Sequence, residues 1–246
     1  MNRSLTLGSL FDGSGGFPLA GLLAGIVPVW SSEIEPFAIR VTEKRLPQVQ
    51  HFGNISGLHG AKLPSVDIIT FGSPCQDMSI AGKRTGLNGS RSSLFHEAIR
   101  IIREMRCASN GKYPRYIVWE NVPGAFSSNG GEDFRCVLEE LCQVKEPDVS
   151  IPKPAKWEKA GEILGESFSL AYRTFDAQYW GVPQRRMRIY LVADFDGGCA
   201  SKILFESEGV SGYSAESSVR GKELPEVLRT ALERQACACV TRAENA

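Results

Sequence analysis

The sequence predicts an α/β fold built on a mostly parallel, doubly wound sheet with an antiparallel edge. Three observations lead there. Strand and helix signals alternate through the first half of the chain, the pattern of a parallel sheet with helical crossovers. The runs at 67–71 and 116–119 are apolar without alternation, as expected of strands covered on both faces. Two further strand signals, near 167–176 and 188–195, come late and close together, as antiparallel neighbours do.

Taken in order, residues 5–11 (Leu-Thr-Leu-Gly-Ser-Leu-Phe) read as a first strand, broken by Asp12-Gly13-Ser14-Gly15-Gly16. A helix starts at Phe17, with Pro18 in the first turn, where its missing N–H costs nothing. Residues 28–32 form a second short strand ended by Glu33, and 36–46 a helix halted by Pro47. Leu94, Phe95, Ala98, Ile99, Ile102 and Met105 recur at three- and four-residue spacing, which makes an amphipathic helix. Phe134, Val137, Leu138 and Leu141 make another. The proline-bearing stretch 145–159 reads as a long surface connection. A last helix is expected over 223–234, with Leu224, Val227, Leu228 and Ala231 on one face. The division expected is a catalytic domain over 1–196 and a Gly/Ser-rich tail over 197–246.

Composition narrows the function classes. No apolar run approaches the roughly 20 residues of a membrane span, and Met1-Asn-Arg-Ser leads straight into the first strand, so a cytoplasmic location is expected. Seven cysteines are scattered without a CxxC pair, and His51, His59 and His96 have no ligand spacing to them. That speaks against a metal site and a disulfide framework. Net charge is zero, with 28 basic and 28 acidic residues, yet 82–106 holds six basic residues against two acidic ones. A local basic face of that kind suits a polyanion better than the global balance suggests.

Chemistry concentrates at strand ends. Cys75, in Gly72-Ser73-Pro74-Cys75-Gln76, follows the strand at 67–71 and enters a polar turn, where parallel-sheet enzymes place reactive groups; nearby positive charge would favour its thiolate. Glu120 trails Ile117-Val118-Trp119 and is expected half-buried, suited to donating a proton. Arg186 and Arg188 stand two apart at a strand start and share one face. The glycines after Phe11 free the backbone to approach a ligand at a helix N-terminus, and Glu33 ends the next strand where a carboxylate can hold ribose hydroxyls. Residues 77–92, rich in Gly and Ser and carrying Lys83, Arg84 and Arg91, read as a lid that closes on phosphates.

These residues, in this order, resemble the C5-cytosine DNA methyltransferases of bacteria and their phages. The resemblance rests on five ordered motifs: Phe11–Phe17, Glu33, Pro74-Cys75-Gln76, Glu120-Asn121-Val122 and Gln184-x-Arg186-x-Arg188. It implies a Rossmann-like S-adenosylmethionine-dependent methyltransferase fold. Phe11, Gly13, Gly15 and Gly16 would line the cofactor pocket, Glu33 would hold the ribose and Ile34 would pack on the adenine. Asn54 and Ile55 stand where the family often has an Asp-containing pair reaching the adenine amino group. Cys75 would attack C6 of a cytosine flipped out of double-stranded DNA, Glu120 would protonate N3, Arg188 would contact the base carbonyl and Arg186 would help position the site. Gln76, Ser79, Lys83 and Arg91 would meet the DNA.

Only 58 residues follow Arg188, and no segment there resembles the family's target-recognition domain, its late Arg/Glu motif or its Asn-containing closing motif. The expectation is a catalytic core whose reader is missing, or is supplied by a second polypeptide. Two rivals stand beside it: an inactive cofactor-binding subunit that needs a partner chain, and an RNA cytosine methyltransferase. The Gln after Cys75 fits the DNA enzymes and speaks against the RNA reading.

Overall fold

A glycine fixes how the first two strands meet. Gly8 of β1 (Thr6–Leu10) lies opposite Trp30 of β2 (Val27–Ser32). A Cβ at Gly8 would fall 2.2 Å from the indole, so only glycine admits the ring. Trp30 is fully buried and donates its Nε1 to Pro64 O at 2.9 Å. The strand pairing shifts register at Leu7/Gly8 to accommodate it.

The computed structural model describes residues 3–73, 94–181 and 183–205. Cys75, Gln76, Ser79, Lys83, Arg91 and the helix expected over 223–234 lie outside them. After β1 and β2, with α1 (Gly16–Leu23) between, come α2 (Pro36–Arg45), β3 (Gln50–His51) and β4 (Ile68–Phe71). They are followed by α3 (Leu94–Ala108), β5 (Tyr116–Asn121), α4 (Glu132–Cys142), β6 (Ala160–Leu164), β7 (Ser169–Asp176), β8 (Met187–Asp194) and α5 (Ala200–Leu204). One eight-stranded sheet results, in the order β3-β2-β1-β4-β5-β8-β7-β6. β3, β2, β1, β4 and β5 pair in parallel. β8 runs antiparallel to both β5 and β7, and β6 antiparallel to β7. This is the doubly wound sheet with an antiparallel edge that the sequence predicts.

The larger core lies on the face of Leu10, Trp30, Ile69, Phe71, Ile117, Trp119 and Leu191, under the apolar sides of α3 and α4. The opposite face carries two smaller clusters, Leu7 with Ile68 and Tyr116, and Ala171 with Val192 and Ala200. Strand alternation places Ser9 on that second face.

Three elements differ from the sequence reading. β3, only two residues long, was not read from the sequence. β6 follows the stretch read as a connection; none of its residues is buried, so it lacked the apolar signal of a covered strand. Its Gly161 sits against the Tyr172 ring, where a Cβ would come within 2.7 Å. α5 lies beyond the boundary expected at 196. Ala200 is buried, its N–H donates to Ser169 Oγ at 3.1 Å, and Ser169 Oγ donates to Gly197 O at 2.8 Å. The packed unit therefore continues to α5. Among the described residues no helix is long and apolar enough to cross a membrane.

Candidate active site

The strand order reverses between β1 and β4, the place where parallel sheets open a crevice at their carboxyl ends. β1, β2, β4 and β5 all deliver their last residues to that edge. β8, running the other way, brings its first residues there. Residues far apart in sequence thus converge on one rim.

The turn after β1 is tightly wound. Phe11 and Gly13 both have φ of 55° and Gly15 has φ of 84°, left-handed values that favour glycine at two of the three positions. Gly13 N donates to Glu33 Oε2 at 2.6 Å, while Glu33 Oε1 accepts from Ile34 N at 2.7 Å and Glu35 N at 3.0 Å. Glu33 therefore clasps the turn to the end of β2. A Cβ at Gly13 or Gly16 would meet nothing within 4 Å, so the turn opens on free space. Ile34 beside it is 68% exposed, unusual for a large apolar side chain. No side chain caps α1 and no acidic residue lies in its first turn, which leaves N–H groups of that turn unpaired within the helix.

Asn54 is close by, because Ser32 Oγ at the end of β2 donates to Gly53 O at 2.7 Å. Its Oδ1 accepts from Ser56 N at 3.0 Å, and its side chain is exposed. Ile55 is buried in the core, and its carbonyl accepts from Arg100 Nη2 at 3.1 Å.

Asp12 was missed by the sequence reading. It is only 6% exposed, and neither carboxylate oxygen has a hydrogen-bond partner among the described residues. Burial chiefly pushes its carboxyl up to about 6; the nearby Ser9 hydroxyl opposes this and the charge of Glu33 adds to it. An unpaired buried carboxylate is costly. This one adjoins an open turn and an uncapped helix end, which fits a site shaped for a charged ligand.

On the other side of the crevice, Glu120 Oε1 pairs with Arg188 Nε at 2.9 Å, both side chains being about three-quarters buried. The antiparallel register makes the pair, setting Glu120 opposite Tyr190, two residues beyond Arg188. Burial, and then the charge of Glu120, push the Tyr190 hydroxyl up, so it stays neutral. Gly72 admits the carboxylate: a Cβ there would lie 3.1 Å from Glu120 Oε2. Gly72 precedes Cys75 by three residues in sequence, and the acid sits where the chain leaves β4. The same departure is anchored by Asn121 Nδ2 donating to Ser73 O at 3.2 Å and Trp119 Nε1 donating to Ser73 Oγ at 3.4 Å.

Arg186 is exposed, just ahead of β8. Its N–H donates to Asp176 Oδ1 at 3.0 Å, its carbonyl accepts from Ala177 N at 3.1 Å, and Asp176 Oδ1 also accepts from Gln178 N at 3.3 Å. Asp176 thereby closes the segment between β7 and β8 at its base. Of the sequence-predicted residues, the structure brings together Phe11, Gly13, Gly15, Gly16, Glu33 and Ile34 at one end of the rim. It brings Glu120 and Arg188 together at the other.

The family model for the C-5 cytosine-specific DNA methylases matches residues 5–146, more than half of the chain. The chain belongs to this family. Among its relatives, the DNA N-6-adenine-methyltransferase of Escherichia phage P1 is 35% identical over 238 residues, covering 85% of this chain and 31% of that protein. The type II methyltransferase M2.BsuMI of Bacillus subtilis (strain 168) is 32% identical over 185 residues, covering 75% of this chain and 41% of the relative. The chain thus spans less than half the length of both. In the crystal structure of the S. pombe Dnmt2 methyltransferase the match has a TM-score of 0.58 at 21% identity and covers 87% of this chain and 58% of that one. At that identity the likeness speaks for the fold alone, a Rossmann-like methyltransferase sheet. In this methylase chain, the glycine turn and Glu33 occupy the β1–β2 end of the rim, and the Glu120–Arg188 pair the β5–β8 end.

Proposed function

We propose that the protein transfers a methyl group from S-adenosylmethionine to C5 of a cytosine flipped out of double-stranded DNA. The observation that carries this reading is the Glu120–Arg188 ion pair at 2.9 Å, set against Gly72 where the chain leaves β4, three residues before Cys75 in sequence. An acid and a guanidinium at one strand edge, with a cysteine following close by in sequence, suit attack on an electron-poor ring whose developing charge must be balanced.

Phe11, Gly13, Gly15, Gly16, Glu33, Ile34, Asn54 and Ile55 would hold the cofactor, which when bound supplies an electrophilic methyl on a sulfonium. Cys75 Sγ adds to C6 of the base, and the ring's electron pair moves to C5, the atom that is alkylated. Glu120 supplies the proton at N3 that relieves the charge. Arg188 fixes the Glu120 carboxylate and bonds the base carbonyl, and Arg186 helps to orient this rim. Loss of the C5 proton then expels the thiolate. A base stacked in a duplex is out of reach of such a rim, so it must be flipped out. Gln76, Ser79, Lys83 and Arg91 are the residues assigned to DNA. We place the activity in the cytoplasm, beside the DNA it modifies.

The rival reading is a cofactor-binding core that needs another polypeptide for target recognition. Labelled S-adenosylmethionine with unmethylated mixed-sequence DNA tests both. The expected result is label recovered as 5-methyl-deoxycytidine and lost in Cys75→Ser. Label on adenine, the base named for the phage P1 relative, overturns the cytosine reading. Cofactor binding without transfer favours the partner-dependent core.

A further inference from the structure

We infer that the segment between β7 and β8 is a fixed DNA-binding ridge, on which Tyr179 stacks against a base next to the target cytosine and Arg185 holds a neighbouring phosphate. The inference rests on the DNA reading above and adds a contact that the residues assigned there do not supply.

The ridge is held from below. Asp176 caps one 3-10 turn over Ala177–Trp180, which Gly181 ends in the left-handed region at φ of 78°. The Asp176 carboxylate is already committed, Oδ1 accepting from Gln178 N and Arg186 N and Oδ2 from Gln178 Nε2 at 2.8 Å. Trp180 stands edge-on to Phe175 at 5.4 Å between ring centroids, and Phe175 to Tyr190 at 5.8 Å. Phe175 lies opposite Arg188 across β7 and β8, and Tyr190 opposite Glu120 across β8 and β5. Strand alternation puts Glu120, Arg188, Tyr190 and Phe175 on one face of the sheet. The row of rings thus runs from the Glu120–Arg188 pair out to the ridge, so a nucleotide resting on the ridge adjoins the base held by that pair.

Above this support the side chains are open to solvent. Tyr179 is 66% exposed, and Trp180 and Met187 are exposed beside it. Single apolar residues on a surface need no explanation, whereas rings grouped next to a reactive rim do. Arg185 and Arg186 are exposed as well. Residues 177–187 contain both arginines and no acid. Among the described residues neither guanidinium lies in an ion pair. An aromatic face flanked by unpaired cations is the means by which proteins bind nucleotides that have left a duplex stack, the ring taking the base and the cation the phosphate. Flipping one base strips its neighbour of a stacking partner, and Tyr179 offers a replacement. A protein partner would have to desolvate two guanidinium groups and bring acids of its own, so the charge favours DNA.

The experiment measures binding of the full chain to a fluorescein-labelled mixed-sequence duplex in which one cytosine is left unpaired, by anisotropy over a range of salt concentrations. Tyr179→Ala, Tyr179→Phe and Arg185→Ala are compared with wild type, with thermal melts alongside. Tyr179→Ala is expected to bind about 5- to 100-fold more weakly, the size of one base–aromatic stack, with the salt slope unchanged. Tyr179→Phe should bind within about twofold of wild type, because the ring and not the hydroxyl makes the contact. Arg185→Ala should reduce the salt slope by about one. All three should melt with wild type, since both side chains are exposed. Tyr179→Ala binding as tightly as wild type overturns the inference and leaves the ridge to a protein partner. Tyr179→Phe losing as much as Tyr179→Ala overturns the stacking assignment, and an unchanged slope in Arg185→Ala overturns the phosphate assignment. A lower Tm in Tyr179→Ala makes that side chain structural and also overturns the inference. None of these results touches the DNA reading itself. Failure of the wild-type chain to bind the duplex overturns DNA binding by this chain, and the ridge with it.

Discussion

Ligand-free stability should carry a pH signature from Asp12 alone. Its carboxyl moves from the ordinary 3.8 in the unfolded chain to about 6 in the folded protein. A raised folded value means that the folded state holds the proton more tightly. The group's stabilising contribution is then fully present below pH 3.8 and is lost as pH rises through about 6. The size of that loss is about 3 kcal/mol, from 1.36 kcal/mol for each pH unit between the two values. Asp12 is almost wholly buried, so solvent screening takes little from it. Asp12→Asn keeps the shape and removes the charge, and its stability should follow wild type at pH 4 and exceed it at pH 7.5. For a folded unit of this size the gap at pH 7.5 is about 6 to 12 °C in Tm. The assay is a set of melts followed by circular dichroism between pH 4 and 8, plotted as the difference between variant and wild type, which cancels the other carboxylates. A difference that does not change with pH, or one that favours wild type at pH 7.5, would refute the reasoning.

Other expectations follow from single contacts. Glu120→Gln should lower methyl transfer about 10²- to 10⁴-fold while shifting Tm by no more than a few degrees, and Arg188→Ala should act in the same direction. Transfer within tenfold of wild type in Glu120→Gln, measured with labelled cofactor, would remove Glu120 from the chemistry. Gly8→Ala drives a methyl into the Trp30 ring and should cost about 1–3 kcal/mol, read as a shift in the urea midpoint by tryptophan fluorescence; an unshifted midpoint contradicts the packing described. Arg115→Ala leaves Asp194, fully buried and bound by Arg115 Nε at 3.0 Å, without its guanidinium. About 3 kcal/mol of stability should go, and a loss under 1 kcal/mol in chemical denaturation would show that the backbone N–H groups of Asp196 and Cys199 suffice for it.

Periodicity made most of the sheet legible. Strands covered on both faces, such as β4 and β5, announce themselves as short apolar runs, and α3 and α4 as apolar residues at helical spacing. β6 escaped because an outermost strand pairs on one side only and buries none of its residues. α5 escaped because five residues with one buried alanine leave no periodic trace. At the rim, Gly13 with Glu33 was readable from a glycine turn followed by an acidic strand end. The nearness of Glu120 to Arg188 was not, since it depends on β8 entering antiparallel beside β5, and no local pattern encodes that register. Asp12 was passed over for a different reason. In a run of glycines an aspartate reads as an ordinary turn former, and only the absence of partners around its buried oxygens shows otherwise.

β8 is the last strand among the described residues, yet it lies between β5 and β7 rather than at the border of the sheet. Until it inserts, β5 shows an open row of N–H and C=O groups, and Glu120 has no arginine beside it. Long-range pairings of this kind form late and slowly, so the acid at the rim would be completed only when the sheet itself is closed. A nascent or clipped chain ending before Met187 would expose a sticky edge and lack the Glu120–Arg188 pair. Closing the sheet and pairing Glu120 with Arg188 are then a single event.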